Sequence, residues 1–175
     1  IVYIDNNYGI AVSDISTGVC YVTEVDKERK LIDEINKYAP SEIICNESFY
    51  VSGVDIDDLN HRLGICIYSL DNWYFDDELC IRTLKEHFKV SAMEGLGLKD
   101  FNCGSIAAGA LFQYLFETQK TKMDHMTTIT PYVTDCFMML DSSTRRNLEL
   151  VETLREKQKR GTLLNWIDRK SGSAG

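Results

Sequence analysis

The chain has 175 residues, 44% of them apolar and 26% charged, with a formal net charge of −8 at pH 7. Such values fit a globular domain with an appendage rather than a fibrous or disordered chain. No apolar run approaches the roughly 18–20 residues of a membrane span. No signal peptide is visible, and the chain, beginning at Ile1 without a Met, reads as an excised piece of something longer, with the thiol pattern of a cytoplasmic protein. Charge is divided unevenly: residues 1–140 hold 11 basic and 22 acidic residues, whereas residues 141–175 hold eight basic and five acidic. An acidic body repels phosphates, which argues against direct DNA binding by the first 140 residues. Six cysteines stand at Cys20, Cys45, Cys66, Cys80, Cys103 and Cys136 without a C-x-x-C pair. With three histidines only, no zinc spacing arises. Cys20, Cys45 and Cys66 fall in apolar strand-like runs and read as reduced core thiols.

In chain order, Ile1–Asn6, Tyr8–Ile15 and Val19–Val25 are β-rich runs separated by turn-forming residues, which predicts an antiparallel meander. Leu31, Ile32, Ile35 and Tyr38 carry helical spacing across Lys27–Tyr38, and Pro40 ends that helix. Glu42–Cys45 is a fourth strand, and its entry from a helix implies a parallel crossover. Ser52–Arg62 is an Asp-rich loop or short helix. Gly64–Leu70 is continuous and apolar, the pattern of a central buried strand. Asp76–Phe88 is a helix with acids in its first turn, favourable to the helix dipole, and an inner stripe of Cys80, Leu84 and Phe88. Ser91–Gly104 reads as a loop and Ser105–Lys120 as a helix apolar nearly all round, hence buried. Residues 121–136, with several threonines and Pro131, read as a linker. Beyond it, Leu148, Val151 and Leu154 form one stripe of a further helix.

This order of elements predicts an α/β fold: a ribonuclease H-like mixed sheet with flanking helices, followed by a helical extension. A resemblance sharpens the prediction. Leu140, Asp141, Ser142, Ser143, Thr144, Arg145, Arg146, Asn147, Leu148, Glu149 and Leu150, with Gly161-Thr-Leu-Leu164 after them, are similar to the junction between connector and core in the MutS family of DNA mismatch-recognition ATPases. Tyr8-Gly-Ile-Ala11, Asp14-Ile-Ser-Thr-Gly18, Tyr38-Ala-Pro-Ser-Glu-Ile43, Trp73 with Phe75-Asp76, and Ala108-Gly-Ala-Leu-Phe-Gln-Tyr-Leu115 through Gln119 resemble connector segments of that family. The resemblance implies a connector over residues 1–125 and the start of the helical core over 126–175. It also implies a non-catalytic part that joins the mismatch-binding domain to the core and relays state to MutL. Other MutS domains, a second MutS subunit and mismatched DNA would then be met through parts outside this chain. The Walker pattern G-x-x-x-x-G-K-[ST] is absent, since Gly95-Leu-Gly-Leu-Lys99 has the wrong spacing. ATP and magnesium would therefore belong to the full-length protein, with no cofactor in this chain.

Two other functional readings stay open. A ribonuclease H-like plan invites a two-metal nuclease with carboxylates at strand ends, and Asp5, Glu47 and Asp71, with Asp14 as a fourth, are the candidates. Their plainer roles are turns and caps. A connector from a MutS paralogue acting in recombination is the second. Among single residues, His87 is a metal or base candidate that reads more simply as a surface residue matching its helix's C-terminal dipole. Arg145 and Arg146 could grip phosphate but are better placed to pair with Glu149. Trp73 and Tyr74 could form a docking patch, with core packing the favoured alternative.

Overall fold

The computed structural model describes residues 1–119 and 123–134. Its first three strands form the expected meander. β1 (Val2–Ile4) pairs antiparallel with β2 (Asn7–Asp14), and β2 with β3 (Val19–Val25), in registers that put Val2 opposite Gly9 and Val12 opposite Tyr21. Asp5 and Asn6 turn the first hairpin with φ of 49° and 62°. Two successive left-handed residues suit the right-handed twist of the flanking strands, and Asp and Asn tolerate that conformation.

α1 (Glu28–Tyr38) follows β3 and stops at Ala39, whose left-handed backbone donates its N–H to the Ile35 carbonyl. β4 (Glu42–Cys45) then pairs in parallel with β5 (Cys66–Ser69), with the short helices α2 (Glu47–Tyr50) and α3 (Ile56–Leu63) between them. Asp55 caps α3 by accepting from the Asp58 amide at 2.9 Å, satisfying a donor that the first turn would leave free.

β1 and β4 are bridged without a regular ladder. The Ile1 nitrogen donates to the Ile44 carbonyl at 2.7 Å, and the buried Asn46 amide accepts from the Tyr3 N–H at 3.0 Å while donating to the Tyr3 carbonyl at 3.1 Å. The partners advance in the same sense along both segments, so β1 and β4 run parallel, and the β3–α1–β4 connection is the parallel crossover that the sequence implied.

Helices cover both faces. Tyr8, Ile10, Val25, Leu31, Ile35, Phe49 and Leu59 form a core on the α1 side. On the other side lie α4 (Asp77–Phe88) and α5 (Asn102–Gln119). Val22, Leu84, Phe112 and Leu115 cluster there, and Val2 joins Cys80 and Ala107 beside them. Asp76 caps α4 through the Leu79 amide at 2.9 Å. α5 is buried on most of its circumference from Cys103 to Leu115, as its composition predicted. It lies so close to its neighbours that a Cβ on Gly9 would meet the Cys103 carbonyl oxygen at 2.2 Å, and one on Gly109 the Cys80 Cβ at 2.3 Å.

Several expectations are corrected. The linker expected over 121–136 contains β6 (Thr128–Pro131), which pairs in parallel with the free side of β3, from Val19↔Thr128 to Val22↔Pro131. Met123, Met126 and Ile129 are buried in the α5-side core. Tyr132 fixes the end of this strand: its N–H donates to the Val22 carbonyl, its carbonyl accepts from the Thr23 hydroxyl, and its own hydroxyl donates to the buried carboxylate of Glu34 on α1. Lys37 completes that site, 3.1 Å from Glu34 and 4.3 Å from the centre of the Tyr132 ring. The threonines that suggested a linker instead suit a short edge strand, and Pro131 is tolerated at its end.

β5 is not a central strand. Among the described residues it pairs with β4 alone, and Ile65 and Ile67 are turned inward while Cys66 and Tyr68 face outward. Cys66 is accordingly exposed rather than a core thiol, whereas Cys20 and Cys45 are buried as expected. The loop expected over Ser91–Gly104 is shortened, because α5 begins at Asn102 and Met93–Leu96 form a 3-10 turn. The junction motif Leu140–Leu150 and the helical extension lie outside the described residues.

Candidate interaction surface

The residues between β5 and α4 build the most distinctive exposed feature. Asn72–Phe75 is a single 3-10 turn whose Tyr74 and Phe75 pack, partly buried, against the α5-side core, and Asp76 starts α4 directly after it. Trp73 is 48% exposed and stacks on Tyr74 with ring centres 3.8 Å apart. Core packing was the favoured reading for this pair, and for Trp73 the structure overturns it. The turn closes before the indole can reach the sheet.

Three bonds fix the turn. The Tyr74 hydroxyl donates to the Glu117 carboxylate on α5, and the Tyr74 carbonyl accepts from Gln113 Nε2 at 3.3 Å and from the Cys80 thiol at 3.1 Å. The Glu117 carboxylate pushes the Tyr74 hydroxyl up to about 12, so it remains a donor at neutral pH.

Beside Trp73 lies an open cavity of about 410 Å³ lined by Leu79, Thr83, Glu86, His87, Gln113 and Phe116. His87 forms part of its wall. The expectation of a plain surface residue is corrected: the ring is half-buried, 4.7 Å from the Phe112 ring and 5.5 Å from the Phe116 ring. Its Nε2 lies 2.7 Å from the Met126 carbonyl. A carbonyl only accepts, so this nitrogen carries the proton and is unavailable as a base or metal ligand. The surface thus combines exposed aromatic rings with Glu86 and Glu117 at its edge. Its lining residues include no Lys or Arg, and its chemistry suits an apolar protein anchor bordered by basic residues. Phe116 and Glu117 were not singled out from the sequence, because in a helix apolar nearly all round no polar stripe marks the exposed positions.

The four carboxylates considered for a nuclease occupy separate local roles. Asp5 is a hairpin-turn residue and is exposed. Glu47 opens α2, and Asp71 precedes the 3-10 turn; both are exposed. Asp14 accepts from the Ser16 amide at 2.9 Å and the Ser16 hydroxyl at 2.6 Å, and these bonds hold its carboxyl below the usual range. Among the described residues, no group of three or more His, Cys, Asp or Glu is gathered closely enough to hold a metal ion. Asp5, Glu47 and Asp71 therefore do not converge. No described helix is long and apolar enough to cross a membrane. Arg145, Arg146 and Glu149 lie outside the described residues.

Residues 2–127 match the family model for MutS domain II. A DNA mismatch repair protein MutS from Lachnoclostridium phytofermentans is 53% identical over 175 residues, covering 100% of this chain and 19% of that protein. Proteins of the same name from Alkaliphilus metalliredigens and Acetivibrio thermocellus are 36% and 38% identical over 96% and 97% of the chain. The chain spans about a fifth of the length of these relatives, covering 20% of each of the latter two. An acidic α/β body with its aromatic surface, matched from end to end at this level, belongs to the MutS family of DNA mismatch repair proteins and carries that family's domain II.

Proposed function

We propose that this chain is the connector of a MutS-type mismatch-recognition ATPase, together with the first part of its core domain. In this reading it is a non-catalytic body that joins the mismatch-binding domain to the core and relays nucleotide and DNA state to MutL. The observation that carries the reading is family membership over the whole chain. The mixed α/β fold adds support: an antiparallel β3-β2-β1 unit, extended by β6, beside parallel β4-β5 with helices on both faces is compatible with the expected ribonuclease H-like plan. The dispersal of Asp5, Glu47 and Asp71 favours a use of that plan without nuclease chemistry. The MutS name of relatives from 36% to 53% identity favours MutS over a recombination paralogue.

ATP and magnesium are then bound by the full-length protein outside this chain, which has no Walker loop. Mismatched DNA, other MutS domains and a second MutS subunit are met in the same way, in the cytoplasm. MutL is the partner for the surface around Trp73, where an apolar side chain can enter beside the indole and basic residues can meet Glu86 and Glu117.

The test is MutL recruitment by the full-length protein on mismatched DNA with ATP, measured for wild type and Trp73→Ala. Loss of a central exposed aromatic should weaken recruitment about tenfold or more, leaving mismatch affinity and ATP hydrolysis unchanged. Unaltered recruitment would remove Trp73 from the interface. Magnesium-dependent cleavage by this chain, abolished in Asp5→Asn, would replace the relay with a nuclease.

A further inference from the structure

Among the described residues, Glu34 is the one charged side chain that is almost fully buried, at 5% exposure. It lies on α1 between Leu31 and Ile35, which belong to the core beneath that helix. A helix facing an apolar core gains nothing from a carboxylate there, and burying one is costly unless it is paired and hydrogen-bonded.

Two groups meet that need. The Tyr132 hydroxyl donates to Glu34 Oε2, and Lys37 Nζ lies 3.1 Å from the same oxygen. Aromatic rings close the site around them. Lys37 is 4.3 Å from the centre of the Tyr132 ring and 4.7 Å from that of Tyr38. Tyr21 of β3 stacks on Tyr38 at 6.0 Å and meets Tyr132 edge-on at 6.5 Å. Burial raises the Tyr132 hydroxyl well above the ordinary tyrosine value, and the Glu34 bond adds to the rise, so it remains a donor at neutral pH.

Lys37 and Tyr38 share α1 with Glu34, whereas Tyr132 arrives from 98 residues further along the chain. It stands directly after β6, and its main chain is bonded twice to β3. Its N–H donates to the Val22 carbonyl at 2.9 Å, and its carbonyl accepts from the fully buried Thr23 hydroxyl at 2.7 Å. β6 by itself is a weak grip: four residues, a single described ladder, and Pro131 without an N–H at its end. A short edge strand of this kind opens locally unless its end is tied. If β6 lifts away, Glu34 keeps only Lys37 as a described partner, so the carboxylate penalises the opening as well.

The position of the tie gives it a use. The compact first unit ends at Cys136, and the chain then runs on into residues 137–175. The covalent path from those residues therefore enters the sheet through Tyr132 and β6. We propose that Glu34, Tyr132 and Lys37 form a clasp that locks β6 to α1 and β3, so that displacement of the chain beyond residue 136 is delivered to the sheet instead of being lost in an unzipping strand. The clasp rests on the relay reading above and gives that relay its point of attachment.

The experiment measures amide hydrogen exchange in the full-length protein for wild type, Tyr132→Phe, Glu34→Met and the double variant. Exchange at Thr128–Thr130 and Tyr132 is expected to quicken about tenfold or more in each single variant, the loss of one charge-assisted hydrogen bond. The double variant should go no further than the larger single effect, because both changes remove the same bond. Exchange at Tyr8–Asp14 should stay as in wild type. Unaltered exchange at β6, or an equal rise at β6 and Tyr8–Asp14, would overturn the clasp. In the relay, Tyr132→Phe should weaken ATP- and mismatch-dependent MutL recruitment about tenfold. Quickened β6 exchange with wild-type recruitment would overturn the clasp's part in it. Failure of the relay reading itself looks different: wild-type recruitment would then be independent of ATP and of the mismatch.

Discussion

The thiols differ in burial and hence in reactivity. Burial pushes Cys20 and Cys80 up to about 12 and Cys45 and Cys103 up to about 11, whereas Cys66 stands exposed on the outer face of β5. A thiolate must form and be reached before it reacts. Among the described cysteines, brief iodoacetamide treatment followed by peptide mass mapping should find Cys66 modified first.

At the scale of elements, α5 organises the structure, because β2, α4 and the Trp73 turn all pack against it. Gly109 allows α4 to approach so closely that an added Cβ would lie 2.3 Å from the Cys80 Cβ. Gly109→Ala gains intrinsic helix propensity of about 1 kcal/mol but forces α4 away from α5. Overpacking of this kind costs about 1–3 kcal/mol, and a net loss of stability in thermal unfolding is the expected result. A gain would show that the two helices adjust freely. The same elements show what was legible in the sequence. α1 and α4 carry helical spacing, β1–β3 are β-rich runs between turn residues and α5 is apolar along a helix's length, so each was expected close to its observed bounds. β5 was misread because Cys66 and Tyr68 count as apolar in a pattern although both tolerate exposure, so a half-exposed edge strand looked like a central one. β6 was missed because Thr128, Thr130 and Pro131 carry turn and linker signals, and only pairing with β3 gives them a strand's role. Trp73 was legible as a distinctive residue but not as an exposed one, since its exposure depends on a turn four residues long.

Taken whole, the described body is a sheet covered on both faces, with Asp5, Asp14, Glu47 and Asp71 dispersed into turns and helix starts and with Trp73 and Phe116 exposed beside one another. That arrangement suits a part that positions others and presents a protein-binding surface. Relaying state requires that the partner's contacts differ between two arrangements of the full-length protein, so the most direct measurement follows MutL onto this body. Hydrogen–deuterium exchange of the full-length protein on mismatched DNA with ATP, with and without MutL, reads every segment at once. The account predicts slowed exchange on adding MutL in peptides spanning 72–87 and 113–117, the Trp73-turn, α4 and α5 segments that build the surface. A MutL complex that forms while exchange throughout residues 1–134 stays unchanged would contradict it.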